Sequence, residues 1–102
     1  MRPKPNGIDM TEQEIQQNLA ELNGWELDGN AIKKAWQFRD FAEAMRFINQ
    51  VAELAEKHDH HPELFNVYNR VELRFSTHDA GGLTPKDFAI AREIDRISVP
   101  GG

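Results

Sequence analysis

The stretch Glu56-Lys57-His58-Asp59-His60-His61-Pro62-Glu63-Leu64-Phe65-Asn66-Val67-Tyr68-Asn69-Arg70-Val71-Glu72-Leu73-Arg74-Phe75-Ser76 decides the fold, because within it a helical period gives way to a period of two. Upstream, Phe41, Ala44, Phe47, Ile48, Val51, Leu54 and Ala55 recur at the spacing of one helix face, which leaves Glu43, Arg46, Gln50, Glu53 and Lys57 for the other. Asp40 is placed to start this helix. Pro62 disfavours helix at the residue before it, so the helix is predicted to end near His58. Downstream, residues 64–68 and 70–76 read as a hairpin, the second strand alternating Val71, Leu73 and Phe75 against Glu72, Arg74 and Ser76.

Working outward, Trp25-Glu26-Leu27 reads as a short strand, Asp28-Gly29-Asn30 as hairpin-turn chemistry and residues 31–38 as the return strand. Alternation there is imperfect, since Lys34 falls in register with Ile32, Trp36 and Phe38. Thr11 and Glu14 make a capping-box pattern ahead of Ile15, Leu19 and Leu22, a helix that Gly24 is expected to stop. Thr84-Pro85-Lys86-Asp87 opens a last helix, with a capping hydroxyl, proline in the first position and a carboxylate in the first turn. Phe88, Ala91, Ile94 and Ile97 supply its buried face. The order α-β-β-α-β-β-α, with hairpin-length links, predicts an α+β fold. It is a single-domain two-layer sandwich, with three helices on one face of a four-stranded antiparallel sheet. Residues 10–99 are expected to form the domain, and the Pro- and Gly-rich residues 1–9 a flexible N-terminal segment.

At 102 residues the chain fits one hydrophobic core. A net charge of −5 argues against direct nucleic-acid binding, which normally needs a basic footprint. No apolar run is long enough to cross a bilayer, and the N-terminus lacks the apolar core of a secretory signal. With no cysteine there is no disulfide, no thiolate nucleophile and no cysteine-based zinc site. Cytoplasm is the expected compartment, without membrane association.

Three of the four histidines lie between positions 58 and 61, and His78 follows the next hairpin. Imidazole, with an unperturbed pKa of about 6.5, gives and takes protons near neutrality. His60 and His61 begin an extended segment, so their side chains point to opposite sides and cannot do the same job. His78 ends the returning strand and is expected back near His60. His58 falls on the apolar stripe and reads as structural. Trp25 and Phe65 read as core.

Glu56, three residues, His60-His61-Pro62, five residues, Tyr68, nine residues, His78, eight residues, Asp87: this ordering resembles the signature of the pterin-4a-carbinolamine dehydratases. The text His60-His61-Pro62-Glu63-Leu64-Phe65-Asn66-Val67-Tyr68-Asn69 and then Ser76-Thr77-His78 is also very similar to that family, and the likeness runs from about Leu22 to Ile97. The resemblance implies dehydration of a 4a-hydroxy-tetrahydropterin to the quinonoid dihydropterin, without metal or organic cofactor. It further implies a part in tetrahydrobiopterin recycling after an aromatic amino-acid hydroxylase.

The resemblance makes His60 and His78 the acid/base candidates and His61 the residue that holds or polarises the pterin. It marks Glu56, Asp59, Phe65, Ser76, Thr77 and Asp87 as substrate-binding or supporting positions, with Asp87 backing His78. It further implies a homodimer or homotetramer. Two alternatives stand beside this reading. One is a histidine-cluster metal-binding module, for which adjacent His60 and His61 are awkward partners on one ion. The other is a non-catalytic protein-binding or dimerisation cofactor, a role some animal relatives also have.

Overall fold

The computed structural model describes residues 10–77 and 80–97. The expected N-terminal segment 1–9, His78, Asp79 and residues 98–102 lie outside the described residues. Helix α1 (Glu12–Ala20) is followed by strands β1 (Glu26–Asp28) and β2 (Ala31–Gln37), helix α2 (Phe41–His58), strands β3 (Glu63–Val67) and β4 (Arg70–Phe75), and helix α3 (Pro85–Ile94). The α-β-β-α-β-β-α order and the α+β class are as the sequence predicts. The antiparallel sheet has the strand order β1-β2-β4-β3, which puts the two hairpins side by side with β2 and β4 in the middle.

Register shows which face holds the core. Ile32 pairs with Phe75, Lys34 with Leu73 and Trp36 with Val71, and successive residues of a strand face opposite sides. Val71, Leu73, Phe75 and Ile32 are fully buried and meet Phe47, Val51 and Ala55 of α2 and Phe88, Ala91 and Ile94 of α3. Burial of such side chains is worth roughly 1.5–3 kcal/mol each, so this seam holds sheet and helices together. α1 has no fully buried residue. It docks through Ile15 and Leu19, and Arg92 of α3 reaches Asn18 at 2.7 Å.

Each local signal has a physical outcome. The Thr11–Glu14 capping box closes in both directions, at 3.1 and 2.8 Å. α1 stops at Ala20, short of Leu22, and Gly24 takes a positive φ of 84° in the link beyond. Lys34, out of pattern for the helix-facing side of β2, is accommodated by charge. Its Nζ lies 3.0 Å from Asp95, bonds the Asn23 carbonyl and sits 5.0 Å from the Trp36 ring centroid. Asp95 also accepts from the Trp25 indole at 2.9 Å and from the Asn23 amide at 3.1 Å. One carboxylate at the end of α3 thus fastens three segments.

Two sequence readings need correction. Glu43, assigned to the polar face of α2, is fully buried. It sits one turn before Phe47 on the inward stripe, in the first helical turn where a carboxylate is favoured by the helix dipole. Its Oε1 accepts from the Arg39 amide at 2.8 Å. Phe65, read as core, is 55% exposed. It pairs with Glu72 on the sheet face opposite buried Val71 and Leu73, at an edge strand where no described helix covers that face. Trp25, by contrast, is buried as expected and meets Trp36 edge-on at 5.7 Å.

Candidate active site

The site begins where α2 hands over to β3. Asp59 caps α2 in the left-handed conformation (φ 50°), a region in which aspartate is better tolerated than most residues. The His60 amide then reaches back to the Ala55 carbonyl at 2.9 Å, closing the helix end. The turn drives His60 inward, to 8% exposure, while His61 stays exposed. The opposite pointing expected of neighbouring residues is what the structure has.

His60 stacks on Phe75 with ring centroids 5.7 Å apart and places Nε2 2.6 Å from Asp87 Oδ1. Asp87 is fully buried. Its Oδ2 accepts from the Thr77 hydroxyl at 2.8 Å and from the Thr84 amide at 3.0 Å, the second being half of the capping box of α3. A buried carboxylate is tolerable only with such donors around it. Thr77 is held near the group by its backbone bridge to Gly82, three residues ahead of the start of α3. The Asp87 carboxylate, expected to support His78, is therefore engaged with His60; His78 lies outside the described residues.

The two other described histidines also have carboxylate partners. His61 Nε2 lies 2.6 Å from Glu56 Oε2, both groups well exposed. Glu56 lies in the last turn of α2, two residues before its end, so the pair lies along the rim of the same helix end. His58, read as a structural residue on the apolar stripe, is partly buried and pairs its Nε2 with Glu93 of α3 at 2.5 Å. Lys57 Nζ lies 3.5 Å from the other Glu93 oxygen.

The hydrogen bond from His58 holds the Glu93 carboxyl below its ordinary value, outweighing the partial desolvation that pushes it up; the Lys57 charge lowers it further. A carboxylate depressed in the folded state stabilises the fold above its unfolded pKa, and that contribution is lost as pH falls through the folded value. Glu93→Gln is accordingly expected to lower the urea midpoint at neutral pH. The gap from the parent protein should close below the ordinary carboxylate range. A gap that persists unchanged at the acid end would show that packing, not charge, is the source.

The remaining candidate positions divide by geometry. Asp59 is exposed at the helix cap, and Ser76 is half-buried at the end of β4, one residue before Thr77. Both lie in the segments that carry His60 and Thr77. Phe65 is not brought to this cluster. Thr84, read from sequence only as a cap, belongs to the Asp87 network. The four-residue capping box Thr84–Asp87 was the available signal, but the third partner, Thr77, is ten residues from Asp87 and has no local pattern. Glu93 was missed for the same reason, lying 35 residues from His58. Among the described residues no three His, Asp or Glu side chains gather at one point as metal ligands.

Buried imidazole, buried carboxylate and a second imidazole at the rim are carried by the positions that the signature spaces out. The family described as Pterin 4 alpha carbinolamine dehydratase matches residues 8–97. The chain belongs to this family. A relative from Sinorhizobium fredii, named for pterin-4-alpha-carbinolamine dehydratase, is 48% identical over 97 residues, covering 93% of this chain and 90% of its own. The crystal structure of a transcriptional coactivator/pterin dehydratase from Brucella melitensis is similar with a TM-score of 0.80 and 45% identity, over 83% of this chain and 93% of that one. A pterin dehydratase-like protein described as a RuBisCO assembly factor in the alpha-carboxysome is similar with a TM-score of 0.61 and 21% identity, over 72% of this chain and 87% of that one. That likeness is one of fold alone. No helix among the described residues is long and apolar enough to cross a membrane.

Proposed function

We propose that this protein is a 4a-hydroxytetrahydrobiopterin dehydratase working by histidine acid/base catalysis. The observation that carries the reading is the His60–Asp87 pair. A nearly buried histidine that keeps 8% exposure is backed by a fully buried carboxylate, an arrangement suited to exchanging protons with a bound substrate. In the reaction the C4a–O bond breaks and the hydroxyl leaves as water with a proton supplied by one imidazolium. N5 loses its proton to a neutral imidazole, and the N–H electron pair forms the C4a=N5 bond. His60 and His78 are assigned the two proton transfers, and exposed His61, held by Glu56, the orientation of the pterin ring.

The same reading places the enzyme in the cytoplasm, in tetrahydropterin recycling after an aromatic amino-acid hydroxylase, and as a homo-oligomer. In support of the last, β3 is an edge strand whose Leu64, Phe65 and Val67, with Tyr68 in the turn after it, are all more than 40% exposed, a self-pairing surface for a second copy. The relative from Brucella melitensis carries a coactivator name beside its dehydratase name, which keeps a protein-binding role as a second reading.

The test is stopped-flow dehydration of freshly generated 4a-hydroxy-tetrahydropterin, before and after exhaustive chelation. Turnover well above the spontaneous rate, unchanged by the chelator, is expected. No acceleration would remove the enzymatic reading. Activity lost on chelation and restored by stoichiometric zinc would replace it with metal chemistry.

A further inference from the structure

The hydrogen bonds behind His60 have a direction that follows from counting hydrogens. A hydroxyl carries one. Thr77 donates its own to Asp87 Oδ2 at 2.8 Å, so in its 2.7 Å contact with Thr84 Oγ1 it is the acceptor and Thr84 the donor. Thr84 Oγ1 in turn accepts from the Lys86 amide at 3.3 Å. The Thr84 amide fills the remaining contact on Asp87 Oδ2. Oδ1 faces His60 Nε2, and a carboxylate oxygen can only accept, so this nitrogen carries the hydrogen. His60 Nδ1 makes no hydrogen bond to any described residue, and the side chain retains 9% exposure.

We propose that Thr84 and Thr77 are positioning residues for His60. Their one-way chain of hydrogen bonds, from the start of α3 to Asp87, fixes the neutral imidazole as the Nε2–H tautomer and leaves Nδ1 as the nitrogen that exchanges protons with substrate. Thr84 is 4% exposed, so it acts on the site only through Thr77 and Asp87. If the hydroxyl of Thr84 is removed, Thr77 loses its donor and is free to turn its hydrogen away from Asp87. The carboxylate then holds the imidazole less firmly. This inference rests on the dehydratase reading for its kinetic part, but the tautomer is a property of the resting protein.

The experiment combines histidine ring nitrogen-15 spectra at a pH where His60 is neutral with steady-state kinetics. The variants are Thr84→Val, Thr77→Val and the hydroxyl-restoring Thr84→Ser. The parent protein is expected to show a protonated Nε2 and an unprotonated Nδ1 at His60. Thr84→Val is expected to admit the other tautomer and to lower kcat on the order of tenfold, about 1.4 kcal/mol in barrier, with KM nearly unchanged. Thr84→Ser should restore both. Loss of a helix cap also costs stability, so Thr77→Val, which leaves the cap side chain intact, reports in its place should Thr84→Val fail to fold. An Nδ1–H tautomer in the parent protein, or valine variants with parental spectra and parental kcat, would overturn the proposal. A shifted tautomer with unchanged kcat would instead uphold the chain and remove His60 from the chemistry.

Discussion

His60→Ala is expected to slow catalysed dehydration by roughly a hundred- to ten-thousand-fold, the usual contribution of one positioned acid or base. The loss should fall on kcat more than on KM, because the ring is assigned to proton transfer and, being nearly buried, offers little of its surface for binding. His61→Ala should behave in the opposite way. Its exposed ring, paired with Glu56 among the described residues, is assigned to holding the pterin, so substrate binding should weaken more than turnover. The two isomers at C4a present the hydroxyl to opposite pterin faces. If His60 and His78 flank those faces, each single alanine variant should be impaired mainly on one isomer and the double variant on both. Equal losses on both isomers in each single variant would point to one shared chain of proton transfer. No loss in any histidine variant would dismiss the site.

Asp87→Ala is expected to be the most destabilising single change near the site, by about 3–5 kcal/mol in urea or thermal unfolding. The side chain is fully buried, and its removal strands the Thr84 amide, the Thr77 hydroxyl and His60 Nε2 at once. It also opens the capping box of α3. Asp87→Asn separates fold from function. The amide keeps the shape, and its carbonyl can still accept from the backbone and Thr77, but its NH2 then faces His60 Nε2 and demands the opposite tautomer. This variant should fold with a much smaller loss of stability and yet lose kcat on a scale approaching His60→Ala. Parental turnover in a folded Asp87→Asn protein would show that the carboxylate serves the scaffold alone.

The relation between sequence and structure differs from element to element. Both capping boxes, the end of α2 before Pro62 and the two hairpins were legible because each depends on residues within four or five positions. Over that span capping, turn and periodicity rules act directly. The burial of Glu43 was not, since a first-turn glutamate reads as solvent-facing by its charge, and its inward position shows only once the helix is packed. Nor was the exposure of Phe65. An aromatic residue in an alternating strand reads as core unless it is known that β3 lies at the sheet edge, with no described helix over its outer face. Lys34 was noticed as out of pattern, but its remedy, Asp95, lies 61 residues away.

By itself the sequence determined the element order, the α+β class, the family and the signature's histidine and carboxylate candidates, because these reside in local chemistry and in linear spacing. It also determined that His60 and His61 would point apart, which follows from extended backbone. Only the tertiary structure decided which carboxylate serves which histidine: Asp87 with His60, Glu56 with His61, Glu93 with His58. Such pairing is a matter of distances across packed elements. The start of α3 meets the end of α2 because both bury their apolar faces on one side of the same sheet, and no spacing along the chain encodes that meeting.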